Sequence, residues 1–438
     1  MAGTTMAQPA KDKNAAASTS LEASIASAAQ QLQPRLVTWR RHIHQYPELS
    51  NREVKTAEYV ASHLRQLGLE VRTGVGKTGV VGILKGGKPG PVVALRADMD
   101  ALPVKERVDL PFKSAVTAEY LGNTVPVMHA CGHDTHVSVL MGTAALLTGI
   151  KDKVPGTVVF IFQPAEEGPP GDEEGGAPLM IKEGVLDNPK VEAIFGMHIN
   201  SQTPIGTLKY TLGPAMASSD WFTIKVKGKQ THGSQPWAGI DPVMVSASII
   251  NGLQTLVSRE AELTKAPVVI SVGKVQAGVR NNIIPEEAIM EGTIRSLDGN
   301  MQQQVHTRIK QLAEQIAKAH GATATVDIDT KTLVTFNHKE LTRSMVPSLV
   351  KAAGAQHVQE TEWTTGAEDF SFFSNKVPGL FFFMGGMPTG TNRQQAAPHH
   401  TPDFYVDDSM LHVGVQAFCH LVMDYAALRA KGISFTMP

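Results

Sequence analysis

At 438 residues the chain is longer than one ordinary core requires, so two domains are expected. A composition of 42% hydrophobic and 18% charged residues fits a globular protein with a sizeable core. The net charge of −1 gives no electrostatic case for nucleic acid or an anionic membrane as partner, and two widely separated cysteines, Cys131 and Cys419, exclude a disulfide framework.

Residues 1–20 are rich in Ala, Ser, Thr and Lys, lack the hydrophobic segment of a signal peptide, and read as a disordered arm. No apolar run is long enough to cross a bilayer. A cytoplasmic protein is expected, although an exported one that had lost its signal would look the same. Ile25, Leu32, Leu36 and Trp39 predict an amphipathic helix from Leu21 that Pro47 ends. A second helix is expected over 53–67, and 71–84 reads as strands joined by glycine turns. Val92-Val-Ala-Leu95 is a short buried strand opening into Arg96-Ala-Asp98-Met-Asp100-Ala-Leu-Pro. Residues 128–136, Met-His-Ala-Cys-Gly-His-Asp-Thr-His, crowd three histidines, a cysteine and an aspartate together, and a helix is expected from Thr135. A thiolate and an imidazole so close suit a borderline divalent ion such as zinc, although a reactive cysteine or helix-capping histidines read the same way.

Thr157–Phe162 is an apolar strand running into Glu166-Glu167, and Glu192–Phe195 is another followed by His198. Gly379–Met384 is a third continuous apolar run. Metal-capable side chains after buried strands fit an open, mostly parallel α/β sheet, where ligands gather beyond the carboxyl ends. No glycine fingerprint follows any strand, which disfavours a dinucleotide. Between 217 and 330 the pattern becomes β-α-β-β-α-β, a ferredoxin-like unit inserted in the larger domain. The expected boundaries are 21–216 and 331–438 for the larger domain and 217–330 for the insertion.

Adjacent extended side chains point in opposite directions, so Glu166 and Glu167 need not share one task. One can bind metal while the other holds a water as general base; a solvated acidic loop is the plain alternative. His198 alone reads equally as a core histidine, and His399 and His400 as surface residues. Only the joint pattern makes them ligands. His42 and His44 read as packing residues.

Together these runs resemble the aminoacylase and carboxypeptidase-type metallopeptidases, in the branch of hippurate hydrolases and indole-acetyl-amino-acid hydrolases. The matching stretches are 96–103, 128–134, Gln-Pro-Ala-Glu-Glu-Gly (163–168), Gly-Met-His (196–198), Gly-Ala-Glu-Asp-Phe (366–370) and His-Thr-Pro (400–402). The resemblance implies a zinc-exopeptidase-like catalytic domain with an inserted lid and dimerisation domain, and hence a homodimer. It implies two divalent ions, zinc first, with manganese, cobalt or nickel as alternatives, held by Cys131, His133, Glu167, His198 and His400. His400 is preferred to His399 by the His-Thr-Pro match. Glu166 would be the base acting on a metal-bridged water, and Asp100 a carboxylate orienting a ligand. His232 matches a lid histidine that polarises the substrate carbonyl, with a partner subunit's site within its reach in a dimer. Asn282 and Arg295 match positions near substrate, an arginine suiting a carboxylate. An ordinary strand-end ion pair is the alternative for Arg295.

The reaction implied is hydrolysis of the amide of N-acyl- or N-aminoacyl-amino acids. A dipeptidase of the same chemistry and a silent binder of acylated amino acids are the rivals, and the paired glutamates argue against the binder, which needs no base. A thiol nucleophile built on Cys131 would lack a resolving partner. Relatives pass quickly from Glu-Glu-Gly to Gly-Gly-Ala, whereas this chain inserts Pro-Pro-Gly-Asp-Glu-Glu, which bears on pocket shape and charge preference.

Overall fold

The computed structural model describes residues 11–437, with side chains from Ser20 onward. Residues 1–10 of the expected arm lie outside the described residues. From Lys11 the chain is already helical, and one helix spans Lys11–Gln45. Its start precedes the expected Leu21 because Lys-Asp-Lys-Asn-Ala-Ala-Ala has strong helix propensity without any apolar periodicity to betray it.

Two compact units form. The first comprises the chain to Tyr210, His338–Thr361 and Val377–Pro438; the second comprises Thr211–Asn337 and Glu362–Lys376. The second therefore exceeds the expected 217–330. Strand Thr335–Asn337 pairs with Gly213–Met216, and Ala217 N–H donates to the carbonyls of Thr364 (3.1 Å) and Gly366 (3.0 Å), tying both flanks to it.

An eight-stranded mixed sheet organises the first unit. Its central strands, Pro155–Gln163, Lys88–Asp98, Ala193–Pro204 and Gly379–Met387, are neighbours in that order and all parallel. Glu70–Val75 and Gly79–Lys85 extend one side antiparallel, and Leu208–Tyr210 with Val358–Glu360 extend the other. The apolar runs of the central strands reflect burial on both faces: Val158 to Phe162 are all fully buried. Helices Lys11–Gln45, His133–Gly149 and Leu411–Ala430 pack into the same core through Leu36, Leu140 and Phe418. Each such apolar side chain contributes roughly 1.5–3 kcal/mol on burial. Cys419 lies within this core, as its helical surroundings predict.

In the second unit, Ser219–Lys227, Val268–Ala277, Glu287–Ser296 and Thr323–Thr332 form an antiparallel sheet, with helices Pro242–Thr255 and Gly299–Ala319 between them in sequence. The spatial order is fourth, first, third, second. This is the ferredoxin-like split unit, whose buried face is Phe222, Ile224, Val226, Met290 and Ile294 against Val245, Ile249 and Ile309.

Candidate metal centre

Strand Lys88–Asp98 ends in Asp98, two residues before Asp100, and Pro155–Gln163 leads to Glu166 and Glu167. Helix His133–Gly149 begins two positions after Cys131, earlier than the expected Thr135. The turn between them needs Gly132: its φ is +86°, and a Cβ there would meet Ile199 Cγ2 at 2.3 Å. His198 does not follow its strand but lies within it, because Ala193–Pro204 runs on beside Gly379–Met387 with His198 opposite Phe383. The loop after Gly379–Met387 brings His399 and His400 back. His400 adopts a left-handed φ of +63°, and its N–H donates to the Ala130 carbonyl at 2.9 Å.

These segments converge. Cys131 Sγ lies 3.3 Å from His400 Nε2, 3.5 Å from His198 Nε2 and 3.6 Å from His399 Nδ1. Glu167 Oε1 is 3.0 Å from His400 Nε2 and 3.9 Å from His133 Nε2, and Glu166 Oε2 is 3.8 Å from the same His133 nitrogen. All five expected ligands and Glu166 thus share one cluster. Donor atoms around one tetrahedral ion with bonds of about 2.1 Å are about 3.4 Å apart, within the 3.0–3.9 Å range of these contacts.

Hydrogen bonds fix the rings. His133 Nδ1 faces Asp100 Oδ1 at 3.2 Å, and His198 Nδ1 donates to the Ile199 carbonyl at 2.6 Å. In each ring the proton is held on Nδ1 and Nε2 is directed at the cluster. Asp100 also accepts from Glu167 N–H (3.0 Å) and Ser50 Oγ–H (2.7 Å), so one carboxylate orients two of the expected ligands. Glu53 accepts the N–H groups of Asn51 (3.0 Å) and Ala165 (2.9 Å), the latter at φ +51°, and so fixes the turn presenting the glutamates.

The donor set fits a cation. His133 Nε2 is buried without a hydrogen-bond partner, and Glu167 Oε1 is buried 3.0 Å from His400 Nε2. Burial, reinforced by the charges of Glu167 and Glu166, pushes the Cys131 thiol well above its ordinary range. Against the cost of burial, Asp98, Asp100 and Glu167 pull His133 up to about 10. A local surplus of negative charge and a thiol that needs a positive neighbour to ionise are what bound divalent ions would offset.

Residues 94–424 match the profile of peptidase family M20/M25/M40. The chain belongs to this family. It is 42% identical over 393 residues to thermostable carboxypeptidase 1 of Saccharolobus solfataricus, covering 89% of this chain and 95% of that protein. It is 38% identical to the N-acetylcysteine deacetylase of Bacillus subtilis, covering 89% and 96%. Among solved structures, a Bacillus subtilis protein described as a dinuclear metal binding peptidase from the M20 family superposes with a TM-score of 0.75 at 36% identity, covering 91% and 99%. This M20-family protein is accordingly an enzyme, a hydrolase of amide or peptide bonds.

Three expected site residues lie in the second unit. His232 is exposed, and its Nδ1 accepts the Ser234 N–H at 3.1 Å, which leaves the proton of the neutral ring on Nε2. Asn282 is exposed, its carbonyl accepting Gly233 N–H at 2.8 Å. Arg295 is half-buried in strand Glu287–Ser296, opposite Val269. Burial lowers its pKa from the ordinary value, against the opposing charge of Asp220.

Residues the sequence reading left out complete the floor. Asp98 Oδ1 bonds His136 Nδ1 at 2.5 Å, its Oδ2 accepts from Arg96 at 2.6 Å, and His136 Nε2 accepts the Ile199 N–H at 2.8 Å. Asp98 and His136 were visible within the quoted motifs, but only space shows them meeting. His44 is buried between Asp134 (2.9 Å) and Glu106 (3.2 Å), as expected of a packing residue, whereas His42 is exposed with its ring beside Tyr59. In the acidic insertion, Glu173 pairs with Arg52 (2.5 Å) and Lys77 (2.6 Å), and Glu174 with Lys182 (2.9 Å).

Proposed function

We propose that this enzyme is a metal-dependent amidohydrolase that cleaves the amide of N-acyl- or N-aminoacyl-amino acids bearing a free carboxylate. The observation that carries the reading is the Glu166–Glu167 pair set against one His133 nitrogen, at 3.8 and 3.9 Å, beside a thiol ringed by imidazoles. Two divalent ions held by Cys131, His133, Glu167, His198 and His400 would acidify a water and polarise the scissile carbonyl. Thiolate, imidazole and carboxylate donors favour zinc, with manganese, cobalt and nickel as competitors. The solved M20 structure described as dinuclear supports the count.

Glu166 takes the proton of the attacking water and then delivers it to the leaving amine nitrogen. Asp100 holds the proton on His133 Nδ1 so that Nε2 stays directed at the cluster. His232 donates its Nε2–H to the carbonyl oxygen as charge develops there. Arg295 and Asn282 receive the substrate carboxylate, the planar guanidinium matching it with two parallel bonds. The relatives named as a carboxypeptidase and an N-acetylcysteine deacetylase support both acyl classes, aminoacyl and simple acyl, with an amino acid as the leaving amine in each. The second unit exposes Trp237, Met244 and Val279, which supports a homodimer formed through it. Free thiols at Cys131 and Cys419 suit a reducing, cytoplasmic setting, and among the described residues no helix is long and apolar enough to cross a membrane.

Glu166→Gln is the test. Turnover of N-acyl amino acids is expected to fall about 10²–10⁴-fold with metal content intact. Retention of most activity would remove Glu166 from the mechanism. Comparing N-benzoylglycine with dipeptides after chelation and readdition of each metal separates the amidohydrolase from the dipeptidase.

A further inference from the structure

The imidazole preceding His400 has no task in the reading above, yet its ring is directed at the sulfur of Cys131. His399 Nδ1 lies 3.6 Å from Cys131 Sγ. Its other nitrogen, Nε2, accepts the backbone N–H of Ser201 at 3.3 Å, and the Ser201 hydroxyl donates to the Ala397 carbonyl at 2.8 Å, closing the loop around the ring. A nitrogen that accepts carries no proton, so the proton of the neutral ring sits on Nδ1, the atom facing sulfur. His198 shows the reverse arrangement: its Nδ1 is spent on the Ile199 carbonyl, and its bare Nε2 lies 3.5 Å from the same sulfur. The His399 ring is further held between Phe404, at 4.8 Å between ring centres, and His198, at 5.3 Å.

A nitrogen bearing a proton cannot coordinate a metal, but it can donate. We infer that His399 is a positioning residue whose Nδ1–H donates a hydrogen bond to the Cys131 thiolate, so that it tunes the sulfur without itself binding metal. The inference rests on Cys131 being a ligand as proposed above. A donor at sulfur fixes the direction of its remaining lone pairs and draws charge from it, so the thiolate becomes a weaker but better aimed ligand. This also gives the adjacent histidines separate tasks: His400 Nε2 lies 3.0 Å from Glu167 and 3.3 Å from the sulfur, placed to share an ion with both.

The test uses the full chain, stripped with a chelator and titrated with cobalt(II) chloride, which gives near-ultraviolet thiolate-to-cobalt absorption where sulfur is a ligand. His399→Asn keeps an N–H near the place of Nδ1, and His399→Leu has none. The Asn variant is expected to hold the wild-type band position. The Leu variant is expected to keep the band and two cobalt equivalents, but with absorption moved to longer wavelength and cobalt affinity about 10-fold weaker. If the Leu variant fails to fold, His399→Gln, whose amide reaches the place of Nε2 only, should show the same red shift. A Leu variant that loses the band together with one cobalt equivalent would make His399 a ligand and overturn the inference, as would a band unmoved in all variants. A wild-type protein without the band would instead bring down the ligand role of Cys131, and the inference with it.

Discussion

His133 in the first unit and His232 in the second are held in opposite ways. His133 is fully buried, its Nδ1 fixed by Asp100 and its Nε2 directed into a cluster of acids and sulfur. His232 is exposed, and the bonds to its ring nitrogen come from Ser234, two residues away. The first arrangement carries the cost of burying charge and returns a fixed geometry; the second costs little and leaves only Nε2 for the carbonyl contact proposed above. Damage to the first unit should therefore register in metal binding, and damage to the second in turnover alone.

The most severe test of that contrast is Gly132→Val. A left-handed position with a Cβ directed at Ile199 leaves Cys131 and His133 no route to their places, so metal binding should be abolished along with activity. A variant that binds two equivalents would show that the turn is not what sets the ligands. Next comes His232→Ala, expected to lower kcat about 10²–10³-fold with metal content unchanged. An unchanged kcat would place the carbonyl donor elsewhere. Asp100→Asn should weaken metal affinity about 10–100-fold, since one carboxylate bonds both His133 and the Glu167 backbone. Isothermal titration of the stripped protein measures this, and equal affinity would assign the orientation of His133 to Asp98.

The smallest effect concerns Glu53, which burial and the charge of Asp100 push up to about 8. Its neutral form is favoured in the folded chain, so its contribution to stability is full below pH 4.5, the ordinary value, and is lost as pH rises to about 8. In metal-free protein, the Tm difference between Glu53→Gln and the parent should move in favour of the variant across that window and level off above it. A constant difference would mean that Glu53 ionises normally.

Much of the second unit was legible because its strands alternate and its helices repeat at their own periods: Trp221 to Lys227 points inward at every second residue, and the β-α-β-β-α-β order follows. The central strands of the first unit were legible as unbroken apolar runs, but their ends were not. Ala193–Pro204 outruns its apolar start because Asn200 to Pro204 are held by pairing with Gly379–Met387, a contact no local pattern announces. The short strands Leu208–Tyr210 and Val358–Glu360 went unread for the same reason. At the site, the motif residues were named from chemistry and resemblance, whereas the Asp98–His136–Ile199 linkage and the Glu53 brace join positions distant in sequence. Of the inserted acids, Glu173 pairs with Arg52 and Lys77, bases from far upstream that no local pattern announces.

Cys131, His133, Glu166, Glu167 and His198 all precede the second unit in the chain, while His400 follows it by many residues. During synthesis at about 5–20 residues per second, some 200 residues separate the penultimate donor from the last, a delay of roughly 10–40 s. Over that interval a nascent chain lacks not only His400 but also strand Gly379–Met387, which pairs beside His198, so the proposed site closes only when this last segment arrives.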